Sequence, residues 1–511
     1  MQGDWRIHFL GWHFFRREPW HWPPGLLDSY LHAPDGTAIG FTDSIPLVAL
    51  VLKPFSDLLP ATFQYLGLWL LGCFILQGVF GVLLARLWTP RCSLQLLSAT
   101  LFVLMPTLLA RVGHPALCAH WVILWALWLY LRGEKGSIQP ASVQAALGLT
   151  AGLIHPYLAV MVLPILGALA VKDVLAASGP TRVGTRRRAI GSFVCAALLV
   201  AAGWWASGLF TVSDVDNLAS EGLGRYSMQL LSPVTPRGWS TLLPAATAAP
   251  GDDHNEGFQY FGFGSLFLVG VAALLAPRRF RALPWGQLWP LLVVAVVFAL
   301  YALSPRGLDV DRFALFRASA RFFWPAAYLG LASAIAIAIT RLPWLVSFAV
   351  LFTACVLQVV DLRTVHLQRH VANRTRYFHA HQLPLTSPVW QMALPQYRHM
   401  VLYPPQQCGR APASFEWPAY LAGLSGLTIN AGETARHHAA RRNSYCQSLE
   451  ATLTSGQLSD DTFYIVERSR LQLLRARSRV PLICSELDGL PICVTARSYE
   501  RWRSHAPLRP I

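Results

Sequence analysis

The chain has 511 residues, of which 54% are hydrophobic and only 13% charged. That is more apolar surface than one soluble core can bury, so a water-soluble enzyme is excluded and an all-α polytopic membrane protein is expected. The formal charge of +16 does not redirect the reading to nucleic acid, because most of the sequence is membrane-embedded.

The opening stretch GDWRIHFLGWHFFRREPWHWPPG, residues 3–25, crowds Trp5, Trp12, Trp20 and Trp22 together with His8, His13, His21 and Asp4. It is too polar to span a bilayer and suits the headgroup zone, where amphipathic rings gather. The next stretch, DSIPLVALVLKPFSDLLP at 43–60, is interrupted by Lys53 and Pro54. It reads as an interfacial or re-entrant helix, with Asp43 placed to cap its first turn.

Ten stretches near the ~20-residue length of a bilayer crossing follow. They are expected near 62–86, 93–110, 118–131, 141–154, 157–172, 189–210, 258–276, 285–303, 321–340 and 343–361. Arginine placement orients them, since short basic loops stay in the cytoplasm. The basic connections are Arg86 with Arg91, RGEK at 132–135, KDVLAASGPTRVGTRRR at 172–188, PRRFR at 277–281, and Arg341. The opposite side then receives residues 1–61, the turn after Arg111, His155, the long loop 211–257, the loop 304–320 and everything after Asp361. This orientation needs the opening segment already outside, so a first membrane helix is expected ahead of it.

Three domains result: an extracytoplasmic first loop over 1–61, a helical membrane domain over 62–361, and a small soluble α/β or mixed domain over 362–511. Between 363 and 511 there are 18 Arg against 9 acidic residues, a net +9. An Arg-rich coding bias explains this, as does contact with anionic lipid or glycan. Cys408, Cys446, Cys484 and Cys493 all lie in this tail, which favours two disulfides, with Cys484–Cys493 the local pair. The chain has no CxxC, HExxH, Walker or GxGxxG motif, so neither a structural zinc nor a nucleotide site is expected.

The polar residues assigned to the outer face carry the chemistry. Asp4 and Asp43 come from the opening segment, with Asp28 and Asp35 beside them. RVGHPALCAHW supplies Arg111, His114 and His120, IHPY supplies His155, and NEGFQYFGFG supplies Glu256. SPRGLDVDRFALFRASARFFWP supplies Arg306, Arg312, Arg317 and Arg321. Ionisable groups at helix ends are costly and are usually paired or functional. His114 and His120 are six apart, which turns about 240° on a helix, so they do not form a same-face metal pair. Arg317 and Arg321, four apart, share a helix face and suit bidentate phosphate binding; snorkelling of helix-end arginines is the plainer alternative.

The stretches DWRIHFLGWHFFRREPW, TDSIPLVALVLKPF, FQYLGLWLLGCFILQG, RVGHPALCAHWVIL, NEGFQYFGFG and RASARFFWP resemble a bacterial family known as domain of unknown function 6311, itself similar to the GT-C class of membrane glycosyltransferases. The resemblance covers most of residues 3–361 and weakly the tail. It implies a multi-pass protein of the bacterial inner membrane, a polyprenyl-phosphate-linked sugar donor, and a glycan or lipid acceptor on the outer side. It also implies a carboxylate shortly after the first span as general base. That role falls on Asp4 first and Asp43 second, with Arg317 and Arg321 on the donor phosphate and Arg111, His114, His120, His155 and Glu256 around it. The resemblance names no certain cofactor; a divalent metal is compatible, without a clear ligand set. The alternatives are a lipid-linked glycan transporter, which needs a polar path that the inner helix halves lack, and a non-catalytic envelope-assembly partner.

Overall fold

The computed structural model describes residues 4–31, 36–132, 140–178, 182–211, 226–244, 255–276, 285–304, 316–369, 385–408, 415–436, 439–505 and 507–508. Asp35, Arg306, Arg312 and the basic connection 277–281 lie outside these residues. Two compact units form: residues 1–66 with 205–218 and 376–511, and residues 67–204 with 219–375.

The second unit is helical. Among the described residues seven helices are long and apolar enough to cross a membrane: Leu66–Ala85, Pro115–Arg132, Pro156–Ala176, Arg182–Ala206, Trp285–Ala302, Ser319–Arg341 and Trp344–Asp361. The pair Cys92–Val103 and Pro106–Gly113, bent by 41°, makes an eighth if counted as one span, and Ala141–Ile154 and Phe263–Leu275 are shorter apolar helices. The protein is therefore a multi-pass membrane protein. Each of the ten expected stretches holds one of these helices. Ten crossings nevertheless exceed the seven or eight that length and composition support.

The basic run Arg182–Arg188, expected in a loop, is instead the first two turns of Arg182–Ala206. Arginine is a good helix former and its long stem lets the charge reach water from a helix end. Close helix packing uses small residues, as membrane helices do. A Cβ on Gly148 would fall 2.6 Å from the Ala196 carbonyl oxygen, and one on Gly152 3.0 Å from Val200. Those two glycines, four apart, let Ala141–Ile154 lie directly on the Arg182–Ala206 backbone.

The first unit joins the opening segment to the tail. Helix Trp5–Phe15 packs on helix Glu416–Ser425. Arg6 bonds Glu416 and reaches Glu433 at 2.9 Å, while His13, 1% exposed, stacks on Tyr420 at 5.2 Å and donates from Nε2 to the Tyr420 carbonyl. The aromatic crowding of the opening stretch is thus in large part core: Trp12, Phe14 and Phe15 are buried, and only Trp20 and Trp22 stand out, at 56% and 81% exposure. Arg16 donates to the carbonyls of Ser56, Leu59, Pro60 and Ala61, closing the end of the Pro46–Leu52 and Lys53–Leu58 helical turns, where intrahelical bonding runs out.

Burial pushes the His13 imidazole down to about 4 from its ordinary 6.5. At His13 the unfolded chain therefore binds more protons than the folded one between those values, so the contribution linked to His13 is full above pH 6.5 and is lost as pH falls towards 4. A His13→Gln variant is expected to show a flatter melting temperature between pH 7 and pH 5 than the wild type; parallel pH profiles would contradict the assignment.

Two short strands, β1 (Leu26–Leu27) and β2 (Thr37–Ala38), pair antiparallel in the opening segment. The tail holds β3 (His399–Tyr403), β4 (Thr428–Ile429), β5 (Thr462–Val466), β6 (Leu482–Leu487) and β7 (Leu490–Thr495) in a sheet of order β4-β3-β5-β7-β6. The first three run parallel and the β5-β7-β6 side is antiparallel, giving the mixed domain expected. Strand β5, TFYIV, is buried at every position, as a central strand must be. The β6–β7 turn is Asp488-Gly489, both at positive φ, the pair a two-residue hairpin demands.

The disulfides are Cys484–Cys493, facing each other across β6 and β7, and Cys408–Cys446. Their sequence separations of 9 and 38 residues predict chain-entropy contributions of roughly 3 and 4 kcal/mol. Cys408→Ser is therefore expected to lower the stability of the tail more than Cys484→Ser, by about 1 kcal/mol in denaturant titrations. The reverse order would show that hairpin strain outweighs loop entropy.

Candidate functional site

Four helix breaks in the membrane unit converge. The first is Arg111–Gly113, a 3-10 turn that follows helix Pro106–Ala110. The second is His155, the single extended residue between Ala141–Ile154 and Pro156–Ala176. The third is the 3-10 turn Asn255–Gly257, and the fourth is Ser319–Phe323, leading into Trp324–Arg341. Pro115, Pro156 and Pro325 stand at or near the first position of the element that follows, where a missing N–H costs nothing.

At the centre stands Glu256. Arg321 grips it with two bonds, Nε to Oε2 at 3.0 Å and Nη2 to Oε1 at 2.9 Å, and Arg111 Nη1 meets Oε2 at 2.8 Å. Both guanidiniums are almost out of solvent, with side-chain exposures of 7% for Arg111 and 11% for Arg321. Burial alone would raise the Glu256 pKa; Arg321 first, then Arg111, overcome it and hold the carboxyl well below the usual carboxylate range. Glu256 is therefore ionised at any working pH and is a poor proton acceptor, so its chemistry is positional. Among the described residues two guanidiniums converge on this one carboxylate, and a cluster of guanidinium N–H donors suits an anion better than a metal cation.

Aromatic and imidazole rings wall this cluster. The Arg321 guanidinium lies 4.7 Å from the Tyr157 ring centroid, and Arg111 lies 6.0 Å from Trp324. His114 and His155 face each other edge to face at 5.8 Å, and His155 Nδ1 accepts from the Tyr157 backbone N–H.

The other residues expected at the site are placed differently. Arg317 is exposed and lies 5.6 Å from the Tyr226 ring. The expected shared helix face of Arg317 and Arg321 does not form, because residues 317–318 are irregular and 319–323 are a 3-10 turn. His120 is fully buried, shares a 2.7 Å hydrogen bond with the Tyr328 hydroxyl and packs on Trp324 at 4.1 Å. It supports the floor behind Arg111 instead of presenting a ring to a ligand.

Asp4 and Asp43 belong to the other unit. Asp4 is exposed, and it is its backbone carbonyl that accepts, from Ile7, His8 and the His8 ring. Asp43 is half-buried between Thr42 and Ser44, both 0% exposed. It is not the N-cap expected from sequence: the helix starts at Pro46 with Ile45 in the cap position, and no side chain closes the turn. The backbone around it takes the left-handed region instead, φ 54° at Asp43 and 52° at Ile45. Ser44 holds that geometry by donating to the His8 carbonyl at 2.7 Å, and the Tyr65 hydroxyl donates to the Ser44 carbonyl.

Two charged groups escaped the sequence reading. Asp361, 0% exposed, accepts from the Ser240 and Tyr260 hydroxyls and from the Phe263 N–H, capping the start of Phe263–Leu275. Arg369 donates to the Leu109 carbonyl at 2.8 Å and covers the Trp239 ring at 4.7 Å. The fall in hydropathy after Asp361 hid this, because residues 363–369 continue as helix within the membrane unit.

Residues 1–363 match the family model described as a domain of unknown function, DUF6311, and residues 389–495 match its C-terminal domain. The chain belongs to the DUF6311 family. No curated protein matches this DUF6311 chain in sequence. Among solved structures it is distantly similar to the Archaeoglobus fulgidus oligosaccharyltransferase. The complex of that enzyme with zinc and sulfate is 13% identical with a TM-score of 0.35, the alignment covering 96% of this chain and 69% of that one. The apo form is 13% identical with a TM-score of 0.37, covering 93% and 67%.

Proposed function

We propose that this DUF6311 protein is a membrane glycosyltransferase that moves a sugar from a polyprenyl-phosphate donor to an extracytoplasmic acceptor such as a cell-envelope glycan. The observation that carries the reading is the Arg111–Glu256–Arg321 cluster, two nearly buried guanidiniums gathered on one carboxylate at converging helix ends. Transfer of a sugar releases a lipid phosphate whose developing charge must be neutralised, and preorganised guanidiniums in a water-poor site do this well. In this reading Glu256 aims the two arginines, and His114 and His155 complete the phosphate's surroundings. Asp43 is preferred to Asp4 as the base that takes the acceptor's proton: its backbone is held in a strained, locked turn, whereas Asp4 is exposed at a helix start.

The reading also places ten membrane crossings. What supports it is parity: residues 1–66, 205–218 and 376–511 form one compact unit, and such a unit lies on one side of a bilayer. Even numbers of crossings are then needed both before residue 205 and after residue 218, which brings in the short helices Ala141–Ile154 and Phe263–Leu275.

The test is reconstitution of the full-length protein in liposomes with labelled polyprenyl-phosphate sugars. Wild type should release or transfer sugar, Arg321→Ala should lose donor binding and turnover together, and Asp43→Asn should lose turnover alone. Absence of turnover with every donor, alongside movement of intact donor between leaflets, would replace this reading with that of a lipid-linked glycan transporter.

A further inference from the structure

We propose that the opening segment carries a divalent transition-metal site of the zinc type, formed by Glu18, His21 and Asp28. It lies wholly within the unit made of residues 1–66, 205–218 and 376–511, and it does not depend on the transferase reading.

Each of the three residues offers one ligand atom, and these atoms all lie within 4.8 Å of one another. His21 Nε2 is 2.9 Å from Glu18 Oε1 and 3.7 Å from Asp28 Oδ2. A tetrahedral ion with bonds of about 2.0–2.1 Å to nitrogen and oxygen requires ligand atoms roughly 3.3–3.4 Å apart, and the two observed distances bracket that value. One nitrogen with two carboxylate oxygens suits a borderline ion such as zinc; an all-oxygen set would be needed to favour calcium or magnesium.

The donor set is also built, not merely adjacent. The Glu18 side chain is 3% exposed, and its second oxygen, Oε2, accepts from the Ser29 N–H at 3.1 Å and from the Ser29 hydroxyl. Those two bonds orient the carboxylate and leave Oε1 facing the imidazole, which is how outer partners commonly fix metal-binding carboxylates. The His21 and Asp28 side chains are 28% and 42% exposed, which gives an ion a way in and leaves a fourth position for water. Lys53 stacks on the Phe15 and Trp20 rings at 4.0 and 4.4 Å and donates to the Pro19 carbonyl.

The consequence is local order. An ion here would tie residue 18 to residue 28 across the loop that displays Trp20 and Trp22, the two exposed tryptophans of the opening stretch.

The experiment uses full-length protein in detergent, stripped with a chelator and titrated with Zn2+ by calorimetry and with Co2+ by visible absorption. Wild type should bind one equivalent, with the visible bands of tetrahedral Co2+. Ser29→Ala, which removes only an outer partner, should weaken binding by about 10-fold or more. His21→Ala and Asp28→Asn should weaken it beyond the roughly 100-fold upper range of such outer effects. Asp28 is exposed enough that Asp28→Asn should retain the wild-type melting temperature without metal, so a loss of binding there is not a loss of folding. Failure of wild type to bind either ion, or binding by His21→Ala and Asp28→Asn equal to wild type, would overturn the proposal.

Discussion

Glu256→Ala is expected to destabilise the membrane unit by about 3–5 kcal/mol, the range for removing one partner from a buried ion network. The loss comes from what is left behind. Arg111 and Arg321 stay nearly out of solvent and both lose the carboxylate that gathers them. Glu256→Gln should cost less, because the amide oxygen can still accept one guanidinium bond, and adding Arg321→Gln to it should recover part of the stability. Thermal unfolding in detergent reads all three variants, and melting temperatures unchanged from wild type would show that the cluster is solvated. The pH dependence has a fixed sign. The folded pKa of Glu256 lies below its ordinary 4.5, so its contribution is complete above about pH 4.5 and is lost as pH falls through the folded value. The gap between wild type and Glu256→Gln should therefore stay constant from pH 7 to pH 5 and shrink only in stronger acid.

Asp43→Asn is expected to lower transfer by roughly 10²–10⁴-fold with donor binding unchanged, the loss that follows removal of a general base. Asparagine tolerates the left-handed region as well as aspartate does, so the backbone at φ 54° should survive the change. Asp43→Gly then separates chemistry from architecture. Glycine relieves the strained φ at a site already locked by Ser44 and Tyr65, so this variant should melt no lower than Asp43→Asn while remaining equally inactive. Asp4→Asn serves as the control, and a greater loss there than at Asp43 would return the role to the exposed carboxylate. Turnover equal to wild type in all three variants would remove both aspartates from the chemistry.

Hydropathy located the membrane helices closely: the stretches expected at 285–303 and 343–361 are helices at Trp285–Ala302 and Trp344–Asp361. Apolar length is a local property, and a single sequence displays it. The site was legible only in part. Arg111, Glu256 and Arg321 were singled out as polar residues at helix ends, and they do meet. The clamp expected of Arg317 and Arg321, however, rests on helical spacing, which fails where a 3-10 turn replaces an α-helix, as it does at Arg321. Asp43 was read as a cap because it precedes a helix by the right count. Pro46, however, excludes the helical conformation at Ile45 and shifts the start past it. Least legible was the partnership of Arg6 with Glu416 and Glu433, since an ion pair between distant segments leaves no periodic trace in either.

That partnership also sets a timetable. Helix Trp5–Phe15 is synthesised 410 residues before the Glu416 it bonds, which at about 5–20 residues per second is a delay on the order of tens of seconds. Throughout it, Phe9 and His13, which pack on Tyr420 in the finished protein, have no tail to cover them. The nascent opening segment must spend that interval on the bilayer surface or in the grip of a holding chaperone. The late-made helix Glu416–Ser425 thus decides when helix Trp5–Phe15 finds its partner.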